Sequence, residues 1–428
     1  MSERRRPRAG AGFVGDGALA GTSSILANAA SYLFYAAAIR ALGVNDGGAL
    51  LAVIAAALMI SVPVGVLGLG LSGVVSHLRA VGDEGGVSSV LRRTTTAYVG
   101  AALALLALAA VSSPFVAAFF HVDVPLVALE GALVVVAMAG LLLVRGFLQG
   151  FGEFRSLAFS NVAEAVAKGV AAGTVLLMHL PFAAVLVAFG SALLGAFAIS
   201  AALLYVHGGH HPVADRRVGT MRRAVPVLTA MGALTVMTFF DAIAARHYLA
   251  PREAGLYNAA ALAGRALMTL LAFVPSVLLP KVRQRAVTTG KTREVMLPAI
   301  VFTTVTCLAS LAVFVVAPHF VAVAIGGRAY ADAASLIPLY GVAASALAIA
   351  SVVATYHAGH DRTFVGVALL IVMALEIAAI VAFHDHPVTI LRIIVIGHSA
   401  ALVSAIVSGA LEARLRSAAA RRAQQPTV

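Results

Sequence analysis

The chain has little charge and almost no cysteine. Asp, Glu, Lys and Arg make up 11% of its 428 residues, and no charged, mixed-composition block is long enough to form a soluble domain. The single cysteine, Cys307, falls in an apolar run, which excludes a disulfide framework and a cysteine metal site. Long loops are also missing on one side of the apolar runs, so no domain there could hold a catalytic centre; no catalytic residue, metal ligand set or cofactor site is expected. What fills the sequence instead is apolar: 61% of residues are hydrophobic and the mean hydropathy is +0.98. Runs of about 20 apolar residues recur along the whole chain, the length that crosses a bilayer as a helix.

The runs fall near 17–39, 49–76, 94–118, 125–148, 157–178, 182–206, 224–248, 256–280, 297–320, 333–357, 363–384 and 388–412. This reads as an all-α polytopic membrane protein of twelve transmembrane helices. Of the 30 Lys and Arg residues, 23 fall in alternate loops on one side, among them Arg4, Arg5, Arg6, Arg79, Arg92, Arg93, Arg216, Arg217, Lys281 and Arg416. Five (Arg40, Arg246, Arg252, Arg328 and Arg392) fall on the other side, and Lys168 and Arg265 fall within spans. The positive-inside rule then places both termini in the cytoplasm and the protein in the plasma (inner) membrane. It also explains the net charge of +12 without nucleic acid, because the basic residues sit in short membrane-flanking loops. Arg4-Arg5-Arg6 followed by an apolar run and Ala27-Asn28-Ala29 has the outline of a signal peptide. The core between them carries Asp16, Gly17, Gly21, Thr22, Ser23 and Ser24, so an uncleaved first helix is the better reading.

The longest basic-side link divides the chain into an N-terminal six-helix lobe (1–206), a linker (207–223) and a C-terminal six-helix lobe (224–428). The halves resemble each other. Leu42–Gly48 after span one parallels Leu249–Gly255 after span seven, Pro114 ending span three parallels Pro318 ending span nine, and Glu164 in span five parallels Glu376 in span eleven. Six spans per repeat make the repeats parallel, related by an axis along the membrane normal.

Asp16, Glu130, Glu164, Lys168, Asp241, Arg265 and Glu376 lie inside or at the edge of apolar runs. An ionisable side chain in lipid costs at least about 2.5–3.5 kcal/mol, so such groups pair or face a water-filled path. Glu164 and Lys168, four apart, share a helix face; they either fix packing or form a cavity-facing pair that opens when substrate competes for Lys168. Arg265 has no carboxylate a helical turn away. Its planar fork suits phosphate oxygens, and Asp241 is its natural protein partner. Glu376 has no basic neighbour at helical spacing, which leaves it protonated, paired across the bundle, or coupling an ion.

Pro63 in span two and Pro275 in span eight read as hinges of site-lining helices, or as ordinary membrane prolines. The histidines at 207, 210 and 211, and His384 and His386 around Asp385, read as solvated loops. Gly17/Gly21, Gly146/Gly150 and Gly169/Gly173 read as close helix contacts.

Several short elements carry a family resemblance. Leu249-Ala250-Pro251-Arg252-Glu253-Ala254-Gly255-Leu256-Tyr257, Arg145-Gly146-Phe147-Leu148-Gln149-Gly150 and Gly327-Arg328-Ala329-Tyr330 resemble elements of the polysaccharide-biosynthesis and lipid-linked oligosaccharide flippase branch of the multidrug/oligosaccharidyl-lipid/polysaccharide exporter superfamily. Arg40, Leu42, Gly43 and Gly48 match a fourth element, in which Val44 and Gly47 replace a proline and an aromatic. The resemblance implies two six-helix lobes around a central cavity that rock between inward and outward states. It further implies a flippase that moves a lipid-linked anionic saccharide from the inner to the outer leaflet. Arg265 and Lys168, with Asp241 and Glu164, would bind substrate, and Glu376 would couple an ion. Membrane lipids and glycosyltransferases of the same pathway would be partners. Two other readings compete: a cation-coupled multidrug antiporter of the same superfamily, and a membrane-embedded glycosyltransferase or polymerase.

Overall fold

A computed structural model of the chain describes residues 9–207 and 225–423. The Arg4-Arg5-Arg6 cluster and the linker beyond His207 lie outside the described residues. Among the described residues the secondary structure is helical, with no strand. The helices are α1 (Ala9–Ala80), α2 (Glu84–Phe120), α3 (Val127–Phe151), α4 (Phe154–Met178), α5 (Phe182–His207), α6 (Val225–Tyr248), α7 (Pro251–Leu271), α8 (Phe273–Thr288), α9 (Arg293–Val316), α10 (Pro318–Gly326), α11 (Ile337–Gly359), α12 (Phe364–Ala382) and α13 (Pro387–Ala423). A 3-10 turn, Arg328–Ser335, links α10 to α11.

Eleven helical stretches among the described residues are long and apolar enough to cross a membrane, the first of them the 60-residue Gly21–Ala80. Well over the length that two crossings need, that stretch holds spans one and two. They are separated not by a loop but by one residue, Gly43, whose φ of 75° and ψ of −175° break the helix. A side chain there would be strained, so the glycine lets two spans follow each other directly. Span eight loses its helical hydrogen-bond ladder at Ala272, between α7 and α8, although that residue keeps right-handed helical dihedrals (φ −60°, ψ −23°). Pro275 follows three residues later, and its missing N–H leaves the Leu271 carbonyl without its helical donor. Helical geometry also continues through Pro63. Span nine ends at Val316 rather than 320; Pro318 starts the short α10 instead.

Each half has its own packing. In the first, α3 and α4 pack on α1, and α5 packs on α3 and α4. In the second, α11 is central, touching α6, α7, α8, α9 and α13, while α12 packs on α6 and α13. The outward surfaces are apolar: Leu108, Val111 and Phe115 on α2 and Leu177 on α4 are all more than 60% exposed, as helices bathed in lipid require. The glycine spacings divide. Gly146 abuts the Gly68 backbone and Gly150 abuts Val75, whereas Gly21, Gly169 and Gly173 face open space. Small residues in the last group therefore mark no helix contact.

Candidate functional site

The two halves meet mainly where α1 runs against α6 and α7. At the arginine-poor face, Gly48 and Gly255, which are equivalent positions of the sequence repeat, touch backbone to backbone. A Cβ on Gly48 would lie 2.5 Å from the Gly255 Cα. Asn258 on α7 donates from Nδ2 to the Gly48 carbonyl at 3.1 Å. Tyr330 donates from its hydroxyl to the Gly43 carbonyl at 2.8 Å, occupying an acceptor that the helix break released.

Arg246, near the end of α6, reaches across the same seam and is 3% exposed. Its Nε donates to the Phe120 carbonyl at 2.8 Å, Nη2 to the His121 carbonyl at 2.8 Å, and Nη1 to the Asn45 carbonyl at 3.3 Å. Phe120 and His121 end α2, where helical carbonyls lack intrahelical donors and the helix dipole is negative. A guanidinium from the other half satisfies them. Beside it, the His247 ring stacks on Phe119 at 4.1 Å. The hydrogen bonds joining the halves gather at this face, with one at mid-depth, where the Tyr32 and Thr269 hydroxyls lie 2.8 Å apart.

Inside the first half, Glu164 pairs with two cations. Lys168 bonds one of its oxygens, and Arg145 Nη1 lies 2.7 Å from the other. Lys168 also donates to Ser31 at 2.7 Å and sits 5.5 Å from the Phe189 ring centre. Arg145 donates to the Ser160 hydroxyl and carbonyl. The spacing of 164 and 168 anticipates one pair. Arg145, counted in the sequence with the loop arginines, instead turns inward from the last two turns of α3 to join it. Its signal was the Arg-Gly-x-x-Gln-Gly element.

Inside the second half, Arg265 Nη2 lies 2.8 Å from Asp241 Oδ1, bringing together the two residues proposed as partners. Asp241 also accepts from Tyr257 at 2.9 Å and Tyr340 at 2.6 Å. Arg265 donates from Nε to the Thr238 carbonyl at 3.0 Å, and its cation lies 5.3 Å from the Phe239 ring. Every partner comes from α6, α7 or α11. Arg265 lies one turn from Thr269, the residue that Tyr32 meets across the seam, so this cluster borders the join.

Glu376 on α12 points at α13, and Gly397 leaves room for it: a Cβ there would run into the carboxylate. Its Oε1 is 3.8 Å from His398 Nε2, and its buried Oε2 has no hydrogen-bond partner. The His398 ring nitrogens face the Ala343 carbonyl at 3.0 Å and the Met237 carbonyl at 3.3 Å. The repeat-related acids Glu164 and Glu376 thus have different surroundings, two cations for one and an imidazole for the other. Tyr340 and His398 carried no sequence signal, and Tyr257 entered only as the last residue of the Leu249–Tyr257 element, because their role here depends on which helices become neighbours. No group of three or more His, Cys, Asp or Glu side chains with metal-holding geometry occurs among the described residues.

Helices that bury charged clusters while presenting apolar surface outward, in two halves joined at one face, define an all-helical, multi-pass membrane fold. Solved structures share that fold. A multidrug resistance MATE family transporter of the MOP superfamily, in an inward-facing conformation, aligns at TM-score 0.70 with 16% identity, over 94% of this chain and 96% of that one. The lipid II flippase MurJ aligns at 0.67 with 13% identity, over 92% and 87%. The eukaryotic MATE transporter AtDTX14 aligns at 0.66 with 14% identity, over 95% and 99%. No curated protein matches the sequence. The chain belongs to the polysaccharide biosynthesis protein family, whose profile matches residues 14–284.

Proposed function

We propose that this protein flips a lipid-linked anionic saccharide from the cytoplasmic to the outer leaflet by alternating access, without covalent chemistry. The observation that carries the reading is the charge imbalance in the first half: Arg145 and Lys168 share the single carboxylate of Glu164. One positive charge is left over, and a phosphate or other acidic headgroup supplies its counter-charge when the cluster opens. Arg265 is the second anion contact, with Asp241 holding it while the site is empty. Sugar hydroxyls cannot cross lipid unaided, since burying each unpaired polar group costs about 2–7 kcal/mol. A polar path between the halves removes that cost while the lipid tail stays in the bilayer. Pro63 and Pro275 are the hinges of this motion, and the gap in the hydrogen-bond ladder at Ala272 beside Pro275 supports the second.

The basic face is the cytoplasmic one in this reading, with both termini there and the protein in the plasma membrane. The seam held by Gly48, Gly255 and Arg246 is then the closed outer gate, and the state is inward-facing. MurJ, described as a lipid II flippase, has the same fold and supports a saccharide-lipid cargo. Glycosyltransferases of the pathway would supply it.

A second reading has one observation in its favour. The unpartnered Glu376 oxygen beside His398 suits a coupling cation, as a multidrug antiporter of this superfamily would need. The test is reconstitution in proteoliposomes with a fluorescent polyprenyl-phosphate saccharide on the inner leaflet. Headgroup appearance outside, lost in Arg145→Gln and in Arg265→Lys with retained folding, is the expected result. Flux equal to empty liposomes, together with proton- or sodium-driven efflux of a cationic dye, would replace it with the antiporter.

A further inference from the structure

Outside both charged clusters, the first half carries a lateral cavity of about 540 Å³ between α2, α3 and α5. Leu91, Tyr98, Gly140, Phe147, Phe197 and Ala201 line it. Its back wall is built around Gly140: a Cβ there would come within 2.5 Å of the Tyr98 hydroxyl and 2.8 Å of Phe197. Those two rings meet edge to face at 5.8 Å, and the Tyr98 hydroxyl is tied to the Val136 carbonyl at 2.9 Å. The hydroxyl of this wall is therefore satisfied, and most of what faces the void is hydrocarbon.

Three features identify the occupant. The lining is apolar and the volume lies within the range of about 300–1,000 Å³ typical of small-ligand sites. The lining on α2 runs from Leu91 to Val99, about 12 Å of helix rise, close to the hydrocarbon depth of one leaflet. Arg92 and Arg93, both exposed, sit beside Leu91 at the basic end, the level of lipid headgroups, with the lining residues Thr94, Thr95 and Tyr205 adding hydroxyls. The seam with the other half is made by α1 and by the opposite end of α2, so cargo moving between the halves does not pass this groove.

We propose that the groove holds an acyl chain of an anionic phospholipid from the leaflet at the basic face, with its phosphate on Arg92 and Arg93. The protein in nanodiscs is irradiated with diazirine-acyl phosphatidylglycerol or diazirine-acyl phosphatidylcholine, and labelled peptides are mapped. Labelling by phosphatidylglycerol should concentrate on residues 91–99 and 197–205. It should fall about fivefold for each of Arg92→Gln and Arg93→Gln, and vanish in Ala201→Trp, which fills the void. Leu91→Trp fills it from the edge and serves if Ala201→Trp does not give a monodisperse protein. Labelling no denser than on the lipid-facing side of α9, or unchanged by either tryptophan, would overturn the proposal. Equal labelling by phosphatidylcholine would overturn it too.

Discussion

On the transport reading and orientation proposed above, replacing Arg246 with alanine should open the outer gate. Its guanidinium supplies the donors that the last two carbonyls of α2 lack, with two bonds at 2.8 Å, and adds a third at 3.3 Å to the Asn45 carbonyl of α1. Hydrogen bonds to a charged group contribute about 1.5–3 kcal/mol each. Counting the two short bonds at the low end, the closed gate loses about 3 kcal/mol. The open gate loses little, because water reaches those carbonyls once the halves separate. A change of about 3 kcal/mol is on the order of a hundredfold in the equilibrium between states.

The single cysteine makes the measurement practical. With Cys307→Ala as background, spin labels at positions 123 and 385 report the outer separation by double electron–electron resonance; labels at 81 and 291 report the cytoplasmic one. In Arg246→Ala the outer distance should lengthen and the cytoplasmic distance shorten. Arg246→Lys, which keeps the charge but loses the fork, should fall between. Distances identical to wild type in Arg246→Ala would refute the latch.

Other outcomes follow from the same geometry. Glu164→Gln leaves the buried Lys168 and the partly buried Arg145 without their carboxylate and should destabilise the protein by about 3–5 kcal/mol, read as a lowered melting temperature in detergent. Removing the acid and one cation together, in Glu164→Gln/Lys168→Met, should recover part of that loss. A melting point unchanged in the single variant would mean that the cluster is hydrated. Gly255→Leu should hold the outer face apart, since a Cβ alone already meets the Val44 backbone; unaltered outer distances would contradict the close crossing. Glu376→Gln should remove any cation dependence of transport while leaving binding of a phosphate-bearing lipid in place. Transport that keeps its cation dependence in this variant would exclude Glu376 as the coupling group.

Particular residues show how far the sequence could be read. Helix content and membrane embedding followed from run length alone, because a bilayer forces any spanning segment without sheet closure to satisfy its backbone internally. Glu164 and Lys168 were legible as a pair because helical spacing puts them on one face. Asp241 and Arg265, on different helices, were legible only by elimination: a buried arginine needs an acid, and Asp241 was the nearest candidate. Arg145 was misplaced, since a residue near a span's end can snorkel to the loop or turn inward with nearly the same sequence signature. Arg246 was counted only as one of five charges on the sparse side. Nothing local distinguishes a loop arginine from one that caps a helix in the other half.

The sequence by itself determined that the chain is an all-helical membrane protein, because hydrophobic run length is a property of consecutive residues. Tertiary structure alone decided that Gly48 meets Gly255, that one carboxylate holds two cations, and that Tyr257, Tyr340 and His398 join the acids. Those contacts depend on how helices tens to hundreds of residues apart are brought side by side, and an apolar helix has no pattern strong enough to announce its neighbours in advance.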